Sequence, residues 1–294
     1  MDRPKKPSAL STTPGLAPHA QINTTHSNSR VSAVLPTGES VEVLLFGATI
    51  ISWKDAAGNE KLWLSEKAVL DGTKAVRGGI PLVFPVFGKV EGEEGKAKGV
   101  DTLPQHGFAR NCRWEFLGKS TSESGSVKGQ EGGDSSVKLD FGLSASNLPE
   151  ETKKLWGDLD AHFLKIQDIS QIAISGLENA TYVDKLTEPI STNTAPTEPL
   201  TISAKTDRVY TPAGGPSTEI IVSEAGKKKY TVARDNMNQV VVWNPWIDAK
   251  DIGDFAPKDG WRTMICVEAG SVSGWQKLEA GETWEGGQII TTAN

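Results

Sequence analysis

Short apolar runs separated by turn residues recur along the chain from about residue 29 to its end. The run Ser40–Phe46 stops at Gly47, and the apolar residues at 137, 139 and 141 alternate with polar neighbours. Similar runs follow at 199–205, 219–223, 229–234, 239–243, 264–268, 272–278 and 283–291. Many short strands with few helical patterns are typical of a sandwich or barrel. We therefore predict an all-β fold, with one domain over residues 29–294 because no repeat or composition shift divides it.

Other stretches lack the strand pattern. Residues 1–28 are rich in Pro, Ser, Thr and Asn and show no apolar period, which predicts a disordered tail. Pro149–Trp156 is predicted as a short helix with proline at its first position. Gly118–Ser136 and Glu91–Gly99 are rich in glycine and charged residues, so we predict solvated loops there.

Charge and composition limit the classes of molecule that the protein is expected to bind. The net charge of −6 argues against nucleic acid, since phosphate backbones attract basic surfaces. A small phosphate ester stays possible, because charges beyond a Debye length of roughly 8 Å are screened. No apolar stretch is long enough for a membrane span, and no signal-peptide core is present. The two cysteines form no disulfide framework. We expect a cytoplasmic monomer that acts on a small molecule and does not bind membranes.

Several kinds of catalytic site have no signature in the sequence. The four histidines and two cysteines show no metal-ligand spacing, so we expect no metal site. Phosphate-loop, dinucleotide-binding and nucleophile-elbow motifs are also missing. Chemistry would then come from ordinary acid and base side chains, and we expect no cofactor.

Three segments place polar groups inside otherwise apolar sequence. They are Arg77–Pro85, Leu103–Arg110 and Met264–Gly270, the last with Glu268 at the end of an apolar strand. A buried carboxylate is costly unless it is paired or functional. Taken singly, each segment also fits a turn or a structural ion pair.

Together these segments resemble the aldose 1-epimerase superfamily, and in particular its fungal glucose-6-phosphate 1-epimerase branch. The likeness runs in order from Val31 to the C-terminus. It is carried by Phe46–Ile50 with Ser52–Trp53, Arg77–Phe87, Gln105–Arg110, Asp168–Ile169, Tyr182–Lys185, Asp207–Tyr210, Val242–Trp246 and the Glu268 segment. The resemblance implies a large antiparallel β-sandwich of the galactose mutarotase type, whose concave face binds the sugar.

The resemblance also implies roles for individual residues. Glu268 is the base that takes the proton of the anomeric hydroxyl. Arg77, Gln105 and Arg110 contact the substrate, with the two arginines as a phosphate clamp, and Asp207 binds sugar hydroxyls. A glutamate with an ordinary pKa near ~4.3 is ionised at neutral pH, so we expect Glu268 to accept a proton without a large shift.

The catalytic histidine departs from the family pattern. The resemblance assigns the acid that protonates the ring oxygen to His162, but His162 stands one position later than an ungapped alignment requires. In a strand, one residue turns a side chain to the opposite face. The interval between Trp156 and His162 also lacks at least a pair of the family's strands. Either the chain is a shortened variant or a loop brings His162 into place; His106 is the fallback acid.

Three functions remain open from the sequence. The first is an isomerase that interconverts the α and β anomers of a hexose 6-phosphate, for which the Arg77 and Arg110 pair argues. The second is a mutarotase for unphosphorylated aldoses. The third is a sugar-phosphate binding protein without catalysis, or a truncated inactive homologue, for which the displaced His162 argues.

Overall fold

The computed structural model describes residues 19–123, 134–144, 146, 148 and 163–293. Their strands are β1 (Gln21–Thr25), β2 (Arg30–Val34), β3 (Ser40–Leu44), β4 (Thr49–Lys54), β5 (Glu115–Glu123), β6 (Asp134–Gly142), β7 (Phe163–Lys165), β8 (Ile172–Ser175), β9 (Thr181–Asp184), β10 (Ser191–Thr194), β11 (Leu200–Thr201), β12 (Thr206–Thr211), β13 (Ile220–Glu224), β14 (Lys227–Asp235), β15 (Gln239–Asn244), β16 (Met264–Gly270) and β17 (Gly287–Thr292). Among the described residues, one α-helix, α1 (Gly92–Lys98), lies between β4 and β5. The all-β prediction is confirmed.

The strands form two large antiparallel sheets and two smaller ones. The six-stranded sheet has the order β10-β9-β12-β15-β16-β7, and the five-stranded sheet has the order β11-β8-β13-β14-β17. The strands β1 to β4 form a meander, and β5 pairs with β6 as a separate hairpin. Antiparallel sheets of this kind suit a sandwich, because each can bury one face and leave the other for solvent or a ligand.

The main core lies between the two large sheets. In β15, Val240 and Val242 are fully buried in this core and pack with Ile174 and Val222 of the five-stranded sheet. Side chains alternate across a strand, so the residues between them point to the other face of the six-stranded sheet. Burial of this apolar surface holds the sheets together and leaves that other face free to carry polar groups.

The N-terminal boundary of the domain differs from the prediction. Strand β1 lies inside the predicted tail, paired with β2 in a register that joins Gln21 to Val34 and Thr25 to Arg30. The prediction for residues 21–25 is therefore wrong, because a strand at a sheet edge can be held by backbone pairing without an apolar pattern of its own. Residues 1–18 lie outside the described residues.

Three other local predictions need correction, and a fourth stays open. The predicted loop at 91–99 contains α1, which is capped by Gly99 in the left-handed conformation. The predicted loop at 118–136 contains the ends of β5 and β6. The run at 272–278 is not a strand: Val272 follows β16 and donates its N–H to the Gln239 side chain. The predicted helix Pro149–Trp156 lies outside the described residues.

In the part of the chain that the structure describes, no helix combines the length and the apolar character that crossing a bilayer requires.

Candidate active site

A pocket of about 150 Å³ opens on the face of the six-stranded sheet that points away from the main core. It is lined by Val76, Arg77, Pro81, Val83, Phe87, Gln105, His106, Arg110, Lys185, Asp207, Val241, Trp243 and Glu268. Charged side chains of both signs therefore converge with aromatic surface in one concave site. Such a combination is typical of a binding site for a polar small molecule.

The strand register explains the floor of the pocket. Asp207 of β12 lies opposite Trp243 of β15, and Val241 of β15 lies opposite Glu268 of β16. Residues directly opposite each other in an antiparallel pair share a face. Three neighbouring strands therefore present two carboxylates and an indole ring to the same space.

Arg77 reaches the pocket from a segment that passes very close to β4. Gly79 has a φ of +69°, and a Cβ there would collide with the carbonyl oxygen of Ile50. Only glycine allows both this conformation and this approach. The Arg77 side chain then lies beside Asp254, with 3.1 Å between Arg77 Nε and Asp254 Oδ1.

The second arginine comes from a loop stacked on the same segment. Gly107 has a φ of +69°, and a Cβ there would collide with the carbonyl oxygen of Phe84. Phe84 and Gly107 form a parallel bridge, which places Arg110 near the run that begins at Arg77. Arg110 donates from Nη2 to the backbone oxygen of Gln105 at 2.7 Å. Burial, together with the nearby Arg77 charge, lowers the pKa of Arg110 to about 10, so Arg110 stays charged at neutral pH.

Glu268 does not have the ordinary acidity expected from the sequence. Glu268 is 7% exposed, and burial raises the pKa of its carboxyl to about 8. The Asp207 carboxyl acts in the same direction, whereas the charges of Lys185 and Arg110 act against it. The expectation of an unshifted, fully ionised glutamate at neutral pH is wrong, because a buried site with a second carboxyl disfavours the charged form.

His106 is held as a neutral imidazole. Its Nδ1 accepts the backbone N–H of Gly88 at 3.1 Å, so the ring proton lies on Nε2. Burial first, and then the charges of Arg110, Lys185 and Arg77, lower the pKa of His106 to about 3. His106 can therefore donate a hydrogen bond from Nε2, but it carries no imidazolium proton to give away at neutral pH. This argues against the fallback role as the acid.

Lys185 belongs to the pocket although no pattern in the sequence singled it out. It follows β9, and its ammonium group lies 4.6 Å from the centre of the Phe87 ring. Trp243 was likewise missed as a lining residue. Both stand inside segments that carry the family resemblance, which was the available signal; their position in the pocket depends on the pairing of β9, β12 and β15.

The structure thus brings together five of the six predicted site residues. Arg77, Gln105, Arg110, Asp207 and Glu268 all line the one pocket. Their chemical roles remain predictions. His162 lies outside the described residues. Among the described residues, no group of three or more His, Cys, Asp or Glu side chains is arranged to hold a metal ion.

Comparisons with known proteins point to one family. The family model described as "Aldose 1-epimerase" matches residues 30–144 and 159–291. A protein of Escherichia coli named "Putative glucose-6-phosphate 1-epimerase" is 30% identical over 263 residues, which cover 80% of this chain and 80% of that protein. A protein of the same name from Cenchrus ciliaris is 29% identical over 284 residues, covering 83% and 79%.

The fold is shared with a solved structure as well. The crystal structure of a protein from Salmonella typhimurium described as a "putative mutarotase" superposes with a TM-score of 0.66 and 24% identity over 90% of this chain and 92% of that one. The prediction of a galactose mutarotase-like sandwich is therefore confirmed.

Proposed function

Because the chain belongs to the aldose 1-epimerase family and is an epimerase, we propose that it interconverts the α and β anomers of hexose 6-phosphates such as glucose 6-phosphate. The observation that carries this proposal is the placement of two arginines, Arg77 and Arg110, in the same pocket as Glu268. Guanidinium groups bind phosphate through parallel, charge-assisted hydrogen bonds. The names of the relatives from Escherichia coli and Cenchrus ciliaris point to the same substrate.

The reaction needs one proton acceptor and one proton donor. Glu268, in its ionised form, takes the proton of the C1 hydroxyl while the ring oxygen receives a proton and the bond between C1 and the ring oxygen breaks. Rotation about the C1–C2 bond of the open aldehyde exposes its other face, and the reverse transfers close the ring as the opposite anomer. No net proton is gained or lost.

The raised pKa of Glu268 suits the base. A general base works best when its pKa lies near the working pH, since both its ionised fraction and its proton affinity are then useful. At about 8, the pKa of Glu268 is much closer to neutral pH than that of an ordinary glutamate. We assign the proton donor to His162 on the family resemblance, and Asp207 and Gln105 to the sugar hydroxyls.

Exchange spectroscopy by NMR tests the proposal directly. The rate of exchange between the two anomeric proton signals of glucose 6-phosphate is compared with and without the full chain, and the same measurement is made with glucose. We expect faster exchange than in buffer, with a higher kcat/KM for the phosphorylated sugar. Glu268→Gln should slow exchange by roughly 10²–10⁴-fold, the usual contribution of a positioned acid or base.

The other candidate functions give different results. A mutarotase for unphosphorylated aldoses would show equal kcat/KM for both sugars, and Arg77→Ala or Arg110→Ala would leave both unchanged. A binding protein without catalysis would bind glucose 6-phosphate in calorimetry yet leave the exchange rate at its value in buffer. Either result would remove the proposed function.

A further inference from the structure

Asp254 contacts the candidate phosphate-binding machinery without lining the pocket. Its Oδ1 accepts the Nε–H of Arg77 at 3.1 Å, and its Oδ2 lies 2.8 Å from the ammonium nitrogen of Lys74. Arg77 lines the pocket, whereas Asp254 does not. The Asp254 side chain is 12% exposed, so solvent and salt screen this ion pair less than they would a surface pair.

The contact decides which part of the guanidinium group is free. A guanidinium has five N–H donors in a rigid plane. Asp254 holds the side of that plane at Nε, which leaves the two terminal Nη groups of Arg77 for a ligand. Among the described residues, no other hydrogen bond of the Arg77 side chain is found.

Asp254 is itself held against the segment that carries Arg77. The Ser65 hydroxyl donates to the backbone oxygen of Asp254 at 2.6 Å and accepts the N–H of Ala256 at 2.9 Å. The backbone N–H of Ser65 donates to the carbonyl oxygen of Arg77 at 3.0 Å. Backbone and side-chain contacts thus form a closed ring through Ser65, Arg77 and Asp254, and Ser65 is 3% exposed.

The charge on Asp254 is maintained in this setting. Burial acts to raise the pKa of Asp254, but the contacts with Lys74 and Arg77 outweigh it and hold the pKa below the ordinary value. An ionised carboxylate can therefore anchor the arginine at neutral pH.

From this geometry we infer that Asp254 is a positioning residue: by holding Arg77 at Nε, it aims the two Nη groups at an anion in the pocket and sets the preference for a phosphorylated sugar. The preference for a phosphorylated sugar rests on the proposed function. The binding of an anion by Arg77 does not depend on it. A residue of this kind acts on phosphate recognition rather than on the proton transfers at C1.

The test compares two sugars and inorganic phosphate. In Asp254→Ala, we expect the ratio of kcat/KM for glucose 6-phosphate to that for glucose to fall roughly tenfold. The reason is that Arg77 is no longer held in the position from which it makes a charge-assisted hydrogen bond to the phosphate. The loss should appear as a higher KM for glucose 6-phosphate, with kcat for glucose within about twofold of the wild type. Asp254→Asn can still accept the Nε–H but has no charge, so its kcat/KM ratio should lie between that of the wild type and that of Asp254→Ala.

A matched control lies close by in the chain. Asp251 is exposed and three residues away, so Asp251→Asn should leave the ratio unchanged. Thermal unfolding of each variant reports any general loss of structure, and Asp254→Asn serves if the alanine variant does not fold. An equal loss of kcat/KM for both sugars in a folded Asp254 variant would show a merely structural role and overturn the inference.

Calorimetry with inorganic phosphate separates this inference from the proposed function. If the wild type accelerates neither sugar, the proposed function fails. The inference still requires that the wild type binds inorganic phosphate and that Asp254→Ala binds it roughly tenfold more weakly. Absence of phosphate binding by the wild type, or equal affinity in the two proteins, would overturn it.

Discussion

Lys185 contacts Asp207 through both its backbone and its side chain. The backbone N–H of Lys185 donates to the carbonyl oxygen of Asp207 at 3.0 Å, and the ammonium nitrogen lies 3.8 Å from Asp207 Oδ1. The ammonium group also lies over the Phe87 ring. One cation is therefore fixed beside the two carboxyl groups of the pocket floor, where it opposes the effect of burial on the pKa of Asp207 and of Glu268.

Removing this cation should change the pH dependence of catalysis. Since Glu268 must be ionised to act as the base, kcat/KM of the wild type should rise with pH, with a midpoint near 8, the pKa of Glu268 in the free enzyme. In Lys185→Met, the pKa of Glu268 rises further, because a favourable charge near the carboxylate is lost. The midpoint should then move to higher pH, as measured by anomer exchange of glucose 6-phosphate from pH 6 to 10.

The control for this variant is a lysine outside the pocket. Lys250 is exposed and does not line the site, so Lys250→Met should keep the wild-type midpoint. If Lys185→Met also keeps that midpoint, then the Lys185 ammonium group does not stabilise the ionised form of Glu268, and its influence on the base is refuted.

Sequence patterns were sufficient for the strands that carry the site. The apolar runs at 239–243 and 264–268 became β15 and β16, and Glu268 already stood out as the carboxylate at the end of an apolar run. The strands with few apolar residues, such as β1 and the polar ends of β5 and β6, could not be predicted in this way. Their stability comes from pairing with a neighbouring strand, which is not local in sequence.

The chemistry of the site was harder to predict than its location. The pKa of Glu268 depends on the depth of the pocket and on Asp207, which lies two strands away on β12. The neutral state of His106 depends on its burial and on nearby cations, and its tautomer depends on a backbone amide at Gly88 that points at Nδ1. The surroundings of Glu268 and of His106 do not follow from residue types or spacing, because they are set by how separate segments pack together.

The state of His106 can be observed directly. Because Gly88 donates to Nδ1 and burial lowers the pKa to about 3, the ring should stay in the neutral Nε2–H form from pH 8 down to pH 5. Nitrogen-15 NMR of protein labelled in histidine should show one protonated and one unprotonated ring nitrogen, with shifts constant over that range. A His106 ring that gains a proton between pH 8 and pH 5 would contradict the described environment.

Gly107 should be essential for the placement of Arg110. Its φ of +69° and the proximity of the Phe84 carbonyl oxygen leave no room for a Cβ, so Gly107→Ala must distort the loop. We expect a loss of several kcal/mol in the free energy of unfolding, since strain and collision combine, and a higher KM for glucose 6-phosphate. Gly118→Ala is the matched control, because a Cβ at Gly118 meets open space. Urea unfolding of the two variants should differ clearly; equal stabilities would mean that the loop can adapt without cost.

Glu268 should also make the stability of the protein depend on pH. Its pKa is about 8 in the folded protein and near 4.5 in the unfolded chain, so folding retains a proton that unfolding releases between these values. The free energy of unfolding should therefore fall as pH rises from 4.5 to 8 and stay lower above pH 8. Glu268→Gln removes this dependence, and the variant should be more stable than the wild type at pH 9 by an amount on the order of a few kcal/mol. At pH 5 the two proteins should be nearly equal in stability, because Glu268 is then protonated in the folded state.

Urea unfolding at both pH values, with the exposed Glu285→Gln as control, measures the difference in stability. If Glu268→Gln were less stable than the wild type at pH 9, the carboxylate would be favourably paired in the folded protein, and the burial that raises its pKa could not be the dominant influence on the base.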